Sequence, residues 1–225
     1  MNYGVVVAAG KSERMGPNVD KAFLTLGTKP ILAYSLLAFE RCADIDGVIL
    51  VVRKDRLEAG RGLAQIFGCS KVKRVVPGGG QRQDSVWNGL SELSDEVKIV
   101  VVHDGARPCV TPELISETVK AAKRYGSGVA AVKITDTVKE VEKGFKIART
   151  IDRTKLWAVQ TPQAFRRELL FDAFDTMAKK HTVVTDEASA VELLGQDVHL
   201  VPSMLWNIKV TSPDDLALAA AFLKL

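Results

Sequence analysis

The sequence predicts an α/β fold in which a mostly parallel sheet carries helices on both faces. Short apolar runs rich in valine and isoleucine alternate with stretches of helical periodicity through the first half of the chain, an order typical of βαβ units. Small-residue or glycine-rich loops follow several of these runs, as expected where ligands approach the carboxyl ends of parallel strands. The chain has 225 residues, 47% of them hydrophobic, which is enough for one large domain with a buried core.

The apolar runs are expected to form the strands. The first, Tyr3–Val7, has the β-branched composition of a strand buried on both faces and ends in a turn of small residues. The further predicted strands are Gly47–Val52, Val72–Val76, Val97–Val102 and Val129–Val132, followed by two short ones at Val198–Val201 and Asn207–Val210. Their alternation with helices predicts a Rossmann-like sheet.

Capping residues and apolar periodicity place the helices between these strands. Pro30, Pro112 and Pro213 suit a first helical turn, and Thr111 and Ser212 are candidate N-caps. The predicted helices are Pro30–Arg41, Asp55–Phe67, one that starts near Ser85, one after Thr111, Arg167–Met177, Asp186–Leu194 with Thr185 as its N-cap, and one after Ser212.

The alternation of strands and helices stops after residue 133. The following residues combine β-prone alternation with charged side chains and a turn at Lys143–Gly144, without an apolar helical stripe. We predict a two-stranded arm, Thr137–Glu142 paired with Phe145–Thr150, inserted at about 134–153 into a single domain that spans residues 1–225. Because a lone hairpin is marginally stable in water, we expect the protruding β-arm to be used in dimerisation, packed against a second copy of the chain in a homodimer.

The loop after the first strand has the composition of a polyphosphate site. Ala8, Ala9 and Gly10 leave no bulk on the backbone, so a ligand can come close to main-chain N–H groups. Arg14 and Lys21 add two positive charges close behind them. A Walker A motif and a dinucleotide-binding motif are both excluded, because valine and serine stand where those patterns need a glycine.

Two later loops are expected at the same edge of the sheet. The third predicted strand is followed by Gly78–Gly80, and Ser85 then lies near the start of a helix, where a free hydroxyl suits nucleotide oxygens. The fourth is followed by His103, which we expect to be packed rather than catalytic. Next to it, Asp104 is a candidate to hold a ribose hydroxyl or Mg²⁺, and Arg107 a phosphate, although these two side chains could instead pair with each other.

Composition argues against several other classes of protein. The net charge of +4 is mildly basic, no run of five basic residues occurs and aromatic residues make up only 6%, so nucleic-acid binding is not expected. Three widely spaced cysteines without a C-x-x-C pair disfavour a disulfide framework or a zinc site. With no basic leader and no apolar run near ~18 residues, we expect a soluble, cytoplasmic protein without a membrane partner.

Taken together, these motifs resemble those of the 2-C-methyl-D-erythritol 4-phosphate cytidylyltransferases, which serve the non-mevalonate route to isoprenoids. The resemblance covers essentially the whole chain, and the motifs follow the family's order. It rests on Ala8–Gly10 with Arg14 and Lys21, the glycine loop that ends in Asp84–Ser85, His103–Pro108, Asp152–Arg153, Thr161–Gln163, Thr185–Ser189 and Asn207–Thr211.

The resemblance implies that CTP and a sugar-alcohol phosphate are the substrates, with Mg²⁺ or another divalent cation as cofactor. It implies that Arg14 and Lys21 bind the triphosphate and stabilise the transition state. The residues implied around the nucleotide are Ala8, Ala9, Gly10, Gly79, Gly80 and Ser85, with Asp104 at the ribose and the metal. Those implied to hold the sugar-alcohol phosphate are Arg107, Thr161 and Lys209, together with Thr137 and Arg153, which reach across the dimer.

Two positions depart from the family's pattern. Asp20 stands where members commonly have proline, which is expected to loosen the loop of Lys21. Gly80 stands where many have aspartate, which puts one side-chain contact to the nucleotide in doubt. Lys209, taken alone, could also be one solvent-facing position of an alternating strand.

Three alternative functions stay open from the sequence. The nearest is a ribitol-5-phosphate cytidylyltransferase, which has a similar fold and first loop. An oxidoreductase on a dinucleotide fold is disfavoured because the glycine motif is missing. A non-catalytic nucleotide sensor is disfavoured because Arg14 and Lys21 are both present.

Overall fold

A computed structural model of the chain describes residues 1–10, 15 and 20–225. The strands are β1 (Asn2–Ala8), β2 (Thr25–Leu26), β3 (Lys29–Pro30), β4 (Gly47–Val52), β5 (Val72–Pro77), β6 (Ile99–Asp104), β7 (Ser127–Lys133), β8 (Val138–Val141), β9 (Ile147–Ile151), β10 (Trp157–Arg166) and β11 (Leu200–Pro202). The helices are α1 (Ile31–Arg41), α2 (Leu57–Ile66), α3 (Arg82–Leu90), α4 (Pro112–Tyr125), α5 (Arg167–Lys180), α6 (Glu187–Glu192) and α7 (Pro213–Leu223).

A seven-stranded sheet forms the centre of the fold and confirms the predicted α/β class. Its order is β11-β7-β10-β6-β1-β4-β5. Strand β10 runs antiparallel to both of its neighbours, and the remaining pairings in this sheet are parallel. Strand β1 lies between β4 and β6, so the loops that follow β1 and β6 meet at one edge of the sheet.

Helices cover both faces of the sheet, as predicted. Because side chains alternate along a strand, Val6 packs with α1, α2 and α4 on one face, whereas Val5 packs with α3, α5 and α6 on the other. Both valines are fully buried, and burial of such a side chain contributes about 1.5–3 kcal/mol to folding. The last helix, α7, packs through Ala219 against Ile31 of α1.

Several helix ends follow the sequence closely. Thr111 is the N-cap of α4 and accepts a hydrogen bond from the backbone N–H of Leu114 at 3.3 Å. Ser212 is the N-cap of α7, as predicted. The prediction for α6 is wrong by one residue, because Asp186 rather than Thr185 is its N-cap and accepts from the N–H of Ser189 at 2.9 Å.

Two strand predictions differ from the structure. The ten-residue strand β10 was not predicted, because Pro162 interrupts its pattern; the Thr161–Pro162 peptide is cis and the register with β7 shifts between Val159 and Gln163. Conversely, residues 207–210 are not a strand. The buried positions are Asn207 and Val210, which lie three residues apart rather than two as in an alternating strand, so the prediction of Lys209 within a strand is wrong.

The predicted arm is present as the antiparallel pair β8 and β9, joined by a turn at Lys143–Phe145. Its apolar side chains face solvent in the single chain: Val141 is 54% exposed, Phe145 94% and Ile147 57%. Among the helices of the described residues, we find none that is both long and apolar enough to cross a membrane.

Candidate active site

A cleft of about 590 Å³ opens at the carboxyl edge of the sheet. It brings together predicted residues from four separate segments, namely Ala8, Ala9, Gly10, Lys21, Gly79, Gly80, Ser85, Asp104 and Lys209. A groove of about 650 Å³ between α2 and the edge strand β5 is slightly larger, but no predicted site residue lines it. The cleft is therefore the candidate active site.

Small residues form one wall of the cleft because two loops approach each other closely. A Cβ atom on Gly78 would lie 2.3 Å from the Cβ of Ala9, and one on Gly79 would lie 2.3 Å from the Cβ of Asp84. These distances are far inside van der Waals contact, so neither glycine can carry a side chain without movement of the loop. Gly80 differs, since its nearest neighbour would be the Asp84 carboxylate at 3.5 Å.

Ser85 stabilises this wall from behind. Its Oγ accepts a hydrogen bond from the backbone N–H of Gly79 at 3.1 Å and donates to the carbonyl oxygen of Gln81 at 3.0 Å. The residue lines the cleft but is only 3% exposed. The expectation of a free hydroxyl is therefore wrong, because this hydroxyl is used to hold the glycine loop.

Four charged side chains from distant parts of the chain form a network at the cleft. Lys209 Nζ donates to Oδ2 of Asp104 at 2.6 Å, and Arg82 Nε donates to Oδ1 at 3.0 Å. Arg82 also spans Glu187, with Nη1–Oε1 at 2.7 Å and Nη2–Oε2 at 3.0 Å. Cations and carboxylates alternate along this network, and the suggested pairing of Asp104 with Arg107 is replaced by these contacts.

The network sets the protonation of Asp104 and Arg82. Burial would raise the pKa of Asp104, but the charges of Arg82 and Lys209 outweigh it and hold that pKa well below its ordinary value. Burial also raises the pKa of the Glu187 carboxyl, and Arg82 opposes this only in part. Burial tends to lower the pKa of Arg82, yet the two carboxylates raise it above its ordinary value. Asp104 is thus an anion, and Arg82 a cation, at neutral pH.

Two predicted residues lie behind the cleft wall. Thr161 Oγ1 accepts from the backbone N–H of Asp104 at 3.0 Å and lies 3.2 Å from Nδ1 of His103. Arg107 Nη1 donates to the carbonyl oxygen of Asn207 at 2.8 Å, which ties the loop after β6 to the segment that carries Lys209. In the present arrangement both residues support the cleft rather than line it.

His103 is packed, as expected. It is fully buried at the end of β6, and its ring lies 5.4 Å from that of Phe39. Burial lowers the pKa of its imidazole to about 3. The ring is therefore neutral across the physiological range.

Two further predicted residues, Thr137 and Arg153, lie apart from this group, and a third, Arg14, lies outside the described residues. Thr137 and Arg153 are exposed at the base of the arm, where Arg153 Nη1 donates to Thr137 Oγ1 at 3.3 Å. Neither is among the residues that line the cleft of this chain, a placement that leaves both free to contact another subunit.

Asp20, the departure before Lys21, is buried beneath the turn that carries this lysine. Its Oδ2 pairs with Arg56 Nε at 3.2 Å, and its carbonyl oxygen accepts from the N–H of Phe23 at 3.1 Å. Burial raises the pKa of Asp20, and Arg56 opposes the shift. Although Asp20 replaces the family's proline, its contacts with Arg56 and Phe23 hold residues 20–23 in place. Residues 16–19 lie outside the described part of the chain.

The sequence pattern did not identify Arg82 and Glu187 as site residues. Both lie inside motifs that carry the family resemblance, and both begin a helix, α3 and α6 respectively. Their 105-position separation gives no periodic signal. The sequence did offer one signal: a basic and an acidic residue each stand at the start of a helix, and each helix follows a loop predicted at the same edge of the sheet.

The described residues suit a divalent cation whose ligands come mostly from the substrate phosphates and only in small part from the protein. In the described part of the chain, no group of three or more histidine, cysteine or acidic side chains is placed to hold a metal. Each carboxylate oxygen of Asp104 accepts one hydrogen bond, which leaves a second lone pair on each. Mg²⁺ at nucleotide sites commonly takes one or two carboxylates together with phosphate oxygens, so Asp104 suits one such position.

The sequence is similar to known proteins over nearly its whole length. The family model described as 2-C-methyl-D-erythritol 4-phosphate cytidylyltransferase matches residues 3–225. A curated relative of that name from Desulforamulus reducens is 45% identical over 224 residues, which cover 98% of this chain and 94% of the relative. Another from Alkaliphilus oremlandii is 38% identical over 221 residues, with coverages of 98% and 94%.

Solved structures of similar proteins share the fold. The crystal structure of 2-C-methyl-D-erythritol 4-phosphate cytidylyltransferase from Thermus thermophilus is 32% identical, has a TM-score of 0.82 and matches over 98% of each chain. That of 4-diphosphocytidyl-2C-methyl-D-erythritol synthase from Anaerococcus prevotii is 27% identical, with a TM-score of 0.86 and coverages of 100% and 98%. These names favour the methylerythritol reaction over the ribitol-phosphate alternative.

Proposed function

The chain belongs to the 2-C-methyl-D-erythritol 4-phosphate cytidylyltransferase family, and we propose that its cleft transfers the cytidylyl group of CTP to 2-C-methyl-D-erythritol 4-phosphate. The products are 4-diphosphocytidyl-2-C-methyl-D-erythritol and pyrophosphate. The observation that carries this proposal is the convergence in one cleft of a small-residue wall with Lys21, Arg82, Asp104 and Lys209. A backbone wall beside fixed charges suits a nucleotide whose phosphates must be held and whose base must be recognised.

The chemistry needs charge stabilisation more than a general base. A phosphomonoester has a second pKa near ~6, so its attacking oxygen is already anionic at neutral pH. This oxygen forms a bond to the α-phosphorus of CTP while the bond from that phosphorus to the bridging oxygen of pyrophosphate breaks. The main obstacle is repulsion between two anions, and cations aimed at the α-phosphoryl group lower that barrier.

Lys21 and Lys209 are given roles from their positions in the cleft, and Arg14 is given its role from the family resemblance. Lys21, with Arg14, stabilises the charge on the transferring phosphoryl group and on the leaving pyrophosphate. Lys209, held by Asp104, orients the phosphate of the sugar alcohol, with Arg107 and Thr161 supporting it from behind. Asp104 would hold a divalent cation as well as the ribose, and such a cation would neutralise part of the phosphate charge.

The small-residue wall accounts for the choice of base. Main-chain groups of Ala8–Gly10 and Gly79–Gly80 can hydrogen-bond the edge of a pyrimidine, and Ser85 keeps the glycine loop in place. Ala9 and Gly78 approach each other closely, and we infer that the wall they support leaves too little room for a larger purine. CTP is therefore the preferred nucleotide.

The arm supplies the rest of the substrate site from a second subunit. Its apolar side chains Val141, Phe145 and Ile147 are exposed in the single chain, and a two-stranded ribbon is marginally stable alone. We infer that they are covered in a two-fold homodimer, in which Thr137 and Arg153 reach the sugar-alcohol phosphate bound to the neighbouring chain.

A turnover assay tests the proposal. Purified protein is incubated with Mg²⁺, one nucleotide and one alcohol phosphate, and pyrophosphate release is measured. We expect release with CTP and methylerythritol phosphate, and at least ~10-fold lower kcat/KM with ATP or with ribitol 5-phosphate, as for a substrate that leaves polar groups of the site unpaired. Equal kcat/KM for CTP and ATP, or for the two alcohol phosphates, contradicts the assignment.

A further inference from the structure

Glu187 is a fully buried acid that does not line the cleft. Arg82 lies between it and the cleft. Glu187 is 1% exposed, and both of its carboxylate oxygens accept hydrogen bonds from the same guanidinium, that of Arg82. Arg82 itself lines the cleft. The mechanism described above gives Glu187 no contact with substrate and therefore no direct chemical part.

The backbone around Glu187 is held by hydrogen bonds that reach two other elements. Gln163 of β10 accepts from the N–H of Ala188 at 3.0 Å and donates to the carboxylate of Asp186 at 2.9 Å. Gln83 of α3 accepts from the N–H of Val184 at 3.1 Å. These contacts fix the start of α6 against the sheet and against α3, so the carboxylate of Glu187 is presented in one orientation.

Glu187 in turn fixes the plane of Arg82. A guanidinium has a rigid fork of N–H donors, and here Nη1 and Nη2 are taken by Glu187 while Nε is left to reach Asp104 at 3.0 Å. Asp104 then holds Lys209 through its other oxygen. Three hydrogen-bonded pairs, Glu187–Arg82, Arg82–Asp104 and Asp104–Lys209, thus connect a residue outside the cleft to a cation inside it.

We propose that Glu187 is a positioning residue for cytidylyl transfer, which acts through Arg82 to hold Asp104 and Lys209 in their working geometry. The proposal rests on the proposed function. Stability alone is a weak reason for such a group, because buried ion pairs can often be replaced by apolar residues without loss of stability. Placement of a guanidinium against Asp104 is a requirement of the site, which an apolar replacement cannot meet.

The proposal predicts a specific kinetic signature for Glu187→Gln, which keeps the shape of the side chain and removes its charge. Arg82 loses its fixed orientation and is free to turn towards the bound triphosphate. We expect kcat to fall at least ~10-fold, as for lost hydrogen bonds to a charged group, while KM for CTP stays the same or falls. A kcat within ~2-fold of wild type overturns the proposal.

A double-mutant cycle distinguishes action through Arg82 from a general structural role. If Glu187 acts through Arg82, the double variant Arg82→Gln with Glu187→Gln loses no more kcat than Arg82→Gln alone, since the coupled effects do not add. Losses that multiply in the double variant show that Glu187 acts independently of Arg82 and overturn the proposal. Glu187→Asp, which keeps the charge, replaces Glu187→Gln in the cycle if the latter does not fold.

A matched control separates positioning from stability. Val191 is fully buried on α6, one helical turn after Glu187, and its apolar side chain belongs to the hydrophobic core rather than to the charged network. Val191→Ala should lower Tm but leave kcat near wild type. Glu187→Gln should lower kcat much more than Val191→Ala does, even where the two variants lose a similar amount of Tm. Equal losses of kcat at equal losses of Tm in the two variants contradict a positioning role.

The same variants distinguish failure of this proposal from failure of the proposed function. If wild type releases no pyrophosphate from CTP and methylerythritol phosphate, the function itself is wrong, and the cycle is then measured as the Kd for CTP by calorimetry. Coupling between Glu187 and Arg82 in that Kd still supports positioning of the nucleotide side of the cleft. Additive changes, or the absence of CTP binding, overturn it.

Discussion

Lys209 Nζ lies 2.6 Å from Oδ2 of Asp104, although 105 positions separate the two residues in the sequence. This pair places Lys209 at the cleft, so its side chain is not simply a solvent-facing position. Because Asp104 also accepts from Arg82, one carboxylate orients two cations at once. The positions of the Arg82 and Lys209 side chains in the cleft therefore depend on Asp104. This residue thus has a structural role in addition to its proposed contact with the ribose.

Lys21 is expected to be needed for turnover but not for folding. It lines the cleft next to the small-residue loop, where its positive charge would stabilise the negative charge of the α-phosphoryl group in the proposed reaction. Lys21→Ala should lower kcat by ~10²-fold or more, as for loss of a charge-stabilising donor. Steady-state kinetics and a thermal melt measure both properties.

The control for Lys21→Ala is Lys179→Ala, which removes the same charge from an exposed position in the last turn of α5. It should leave kcat unchanged, so that a loss at Lys21 cannot be attributed to net charge. A kcat near wild type for Lys21→Ala removes this lysine from the proposed catalytic set.

The glycine loop is expected to respond to substitution at one position and not at another. In Gly78→Ala the added methyl group meets the Cβ of Ala9 at 2.3 Å, so the two loops must separate, and the wall that we propose binds the base moves with them. We expect kcat/KM for CTP to fall at least ~10-fold, since a misplacement of ~1 Å in a substrate-binding group can cost ~10²-fold in rate.

Gly80→Ala is the matched control for Gly78→Ala. Its methyl group would meet the Asp84 carboxylate at 3.5 Å, an ordinary contact, and kcat/KM should stay within ~3-fold of wild type. A larger loss at Gly80 than at Gly78 would mean that the contact with Ala9 does not set the position of the wall.

Mixed dimers test whether the arm completes the site of the neighbouring subunit. Homodimers of Lys21→Ala and of Arg153→Ala should both be nearly inactive. In a mixed dimer, the chain that keeps Lys21 receives an intact Arg153 from its partner, so one of the two sites is whole. Random reassortment of equal amounts makes half the dimers mixed, and activity should recover to about a quarter of wild type in a closed two-fold dimer.

The control for the mixed dimers is wild type taken through the same unfolding and refolding. If wild type recovers its activity while the mixture recovers none, Arg153 acts within its own chain. The shared-site proposal is then wrong, and the exposed apolar side chains of the arm have another occupant.

His103 is expected to make stability fall in mild acid. Burial lowers its pKa to about 3 in the folded chain, whereas an unfolded histidine has a pKa near ~6.5. The unfolded state therefore binds more protons between these values, so the contribution is present above ~6.5 and is lost as pH falls towards about 3. From about pH 7.5 to about pH 5 the free energy of unfolding should fall by about 2 kcal/mol through this residue.

Urea unfolding at the two pH values measures this effect in His103→Gln and in wild type. The variant should be less stable at neutral pH but should lose about 2 kcal/mol less on acidification. His181→Gln changes an exposed histidine and should behave like wild type. An unchanged pH dependence in His103→Gln shows that His103 is not the group responsible.

Much of the fold could be predicted because the buried strands of a parallel sheet are continuous runs of apolar, β-branched residues that can be recognised locally in the sequence. Gly47–Val52 is fully buried and was predicted with its observed bounds. Strand β10 could not be recognised in this way, because it contains Pro162 and a proline argues against a central strand. Asn207–Val210 was wrongly predicted as a strand, because its mixture of polar and apolar residues resembles strand alternation, whereas the buried residues are Asn207 and Val210, three positions apart.

The site was predictable in its loops but not in its pairings. Ala8–Gly10 and Gly79–Gly80 could be placed because small residues after a strand have a physical meaning at the level of sequence. The pairing of Arg82 with Glu187 could not, because it depends on how α3 and α6 are packed on one face of the sheet. The hydroxyl of Ser85 was assigned to the ligand for the same reason: its partner, the N–H of Gly79, becomes a neighbour only after the loop has closed.

The contact between Ala9 and Gly78 has a consequence for inhibitor resistance. An inhibitor that binds the cleft through main-chain groups of the small-residue wall offers few side chains whose replacement would weaken it. The substitution that would fill the space at Gly78 meets Ala9 at 2.3 Å and so disturbs the enzyme together with the inhibitor. Escape by single substitutions should therefore arise at Gly80, where there is room, and a compound that leaves the space beside Gly80 empty should be the harder one to evade.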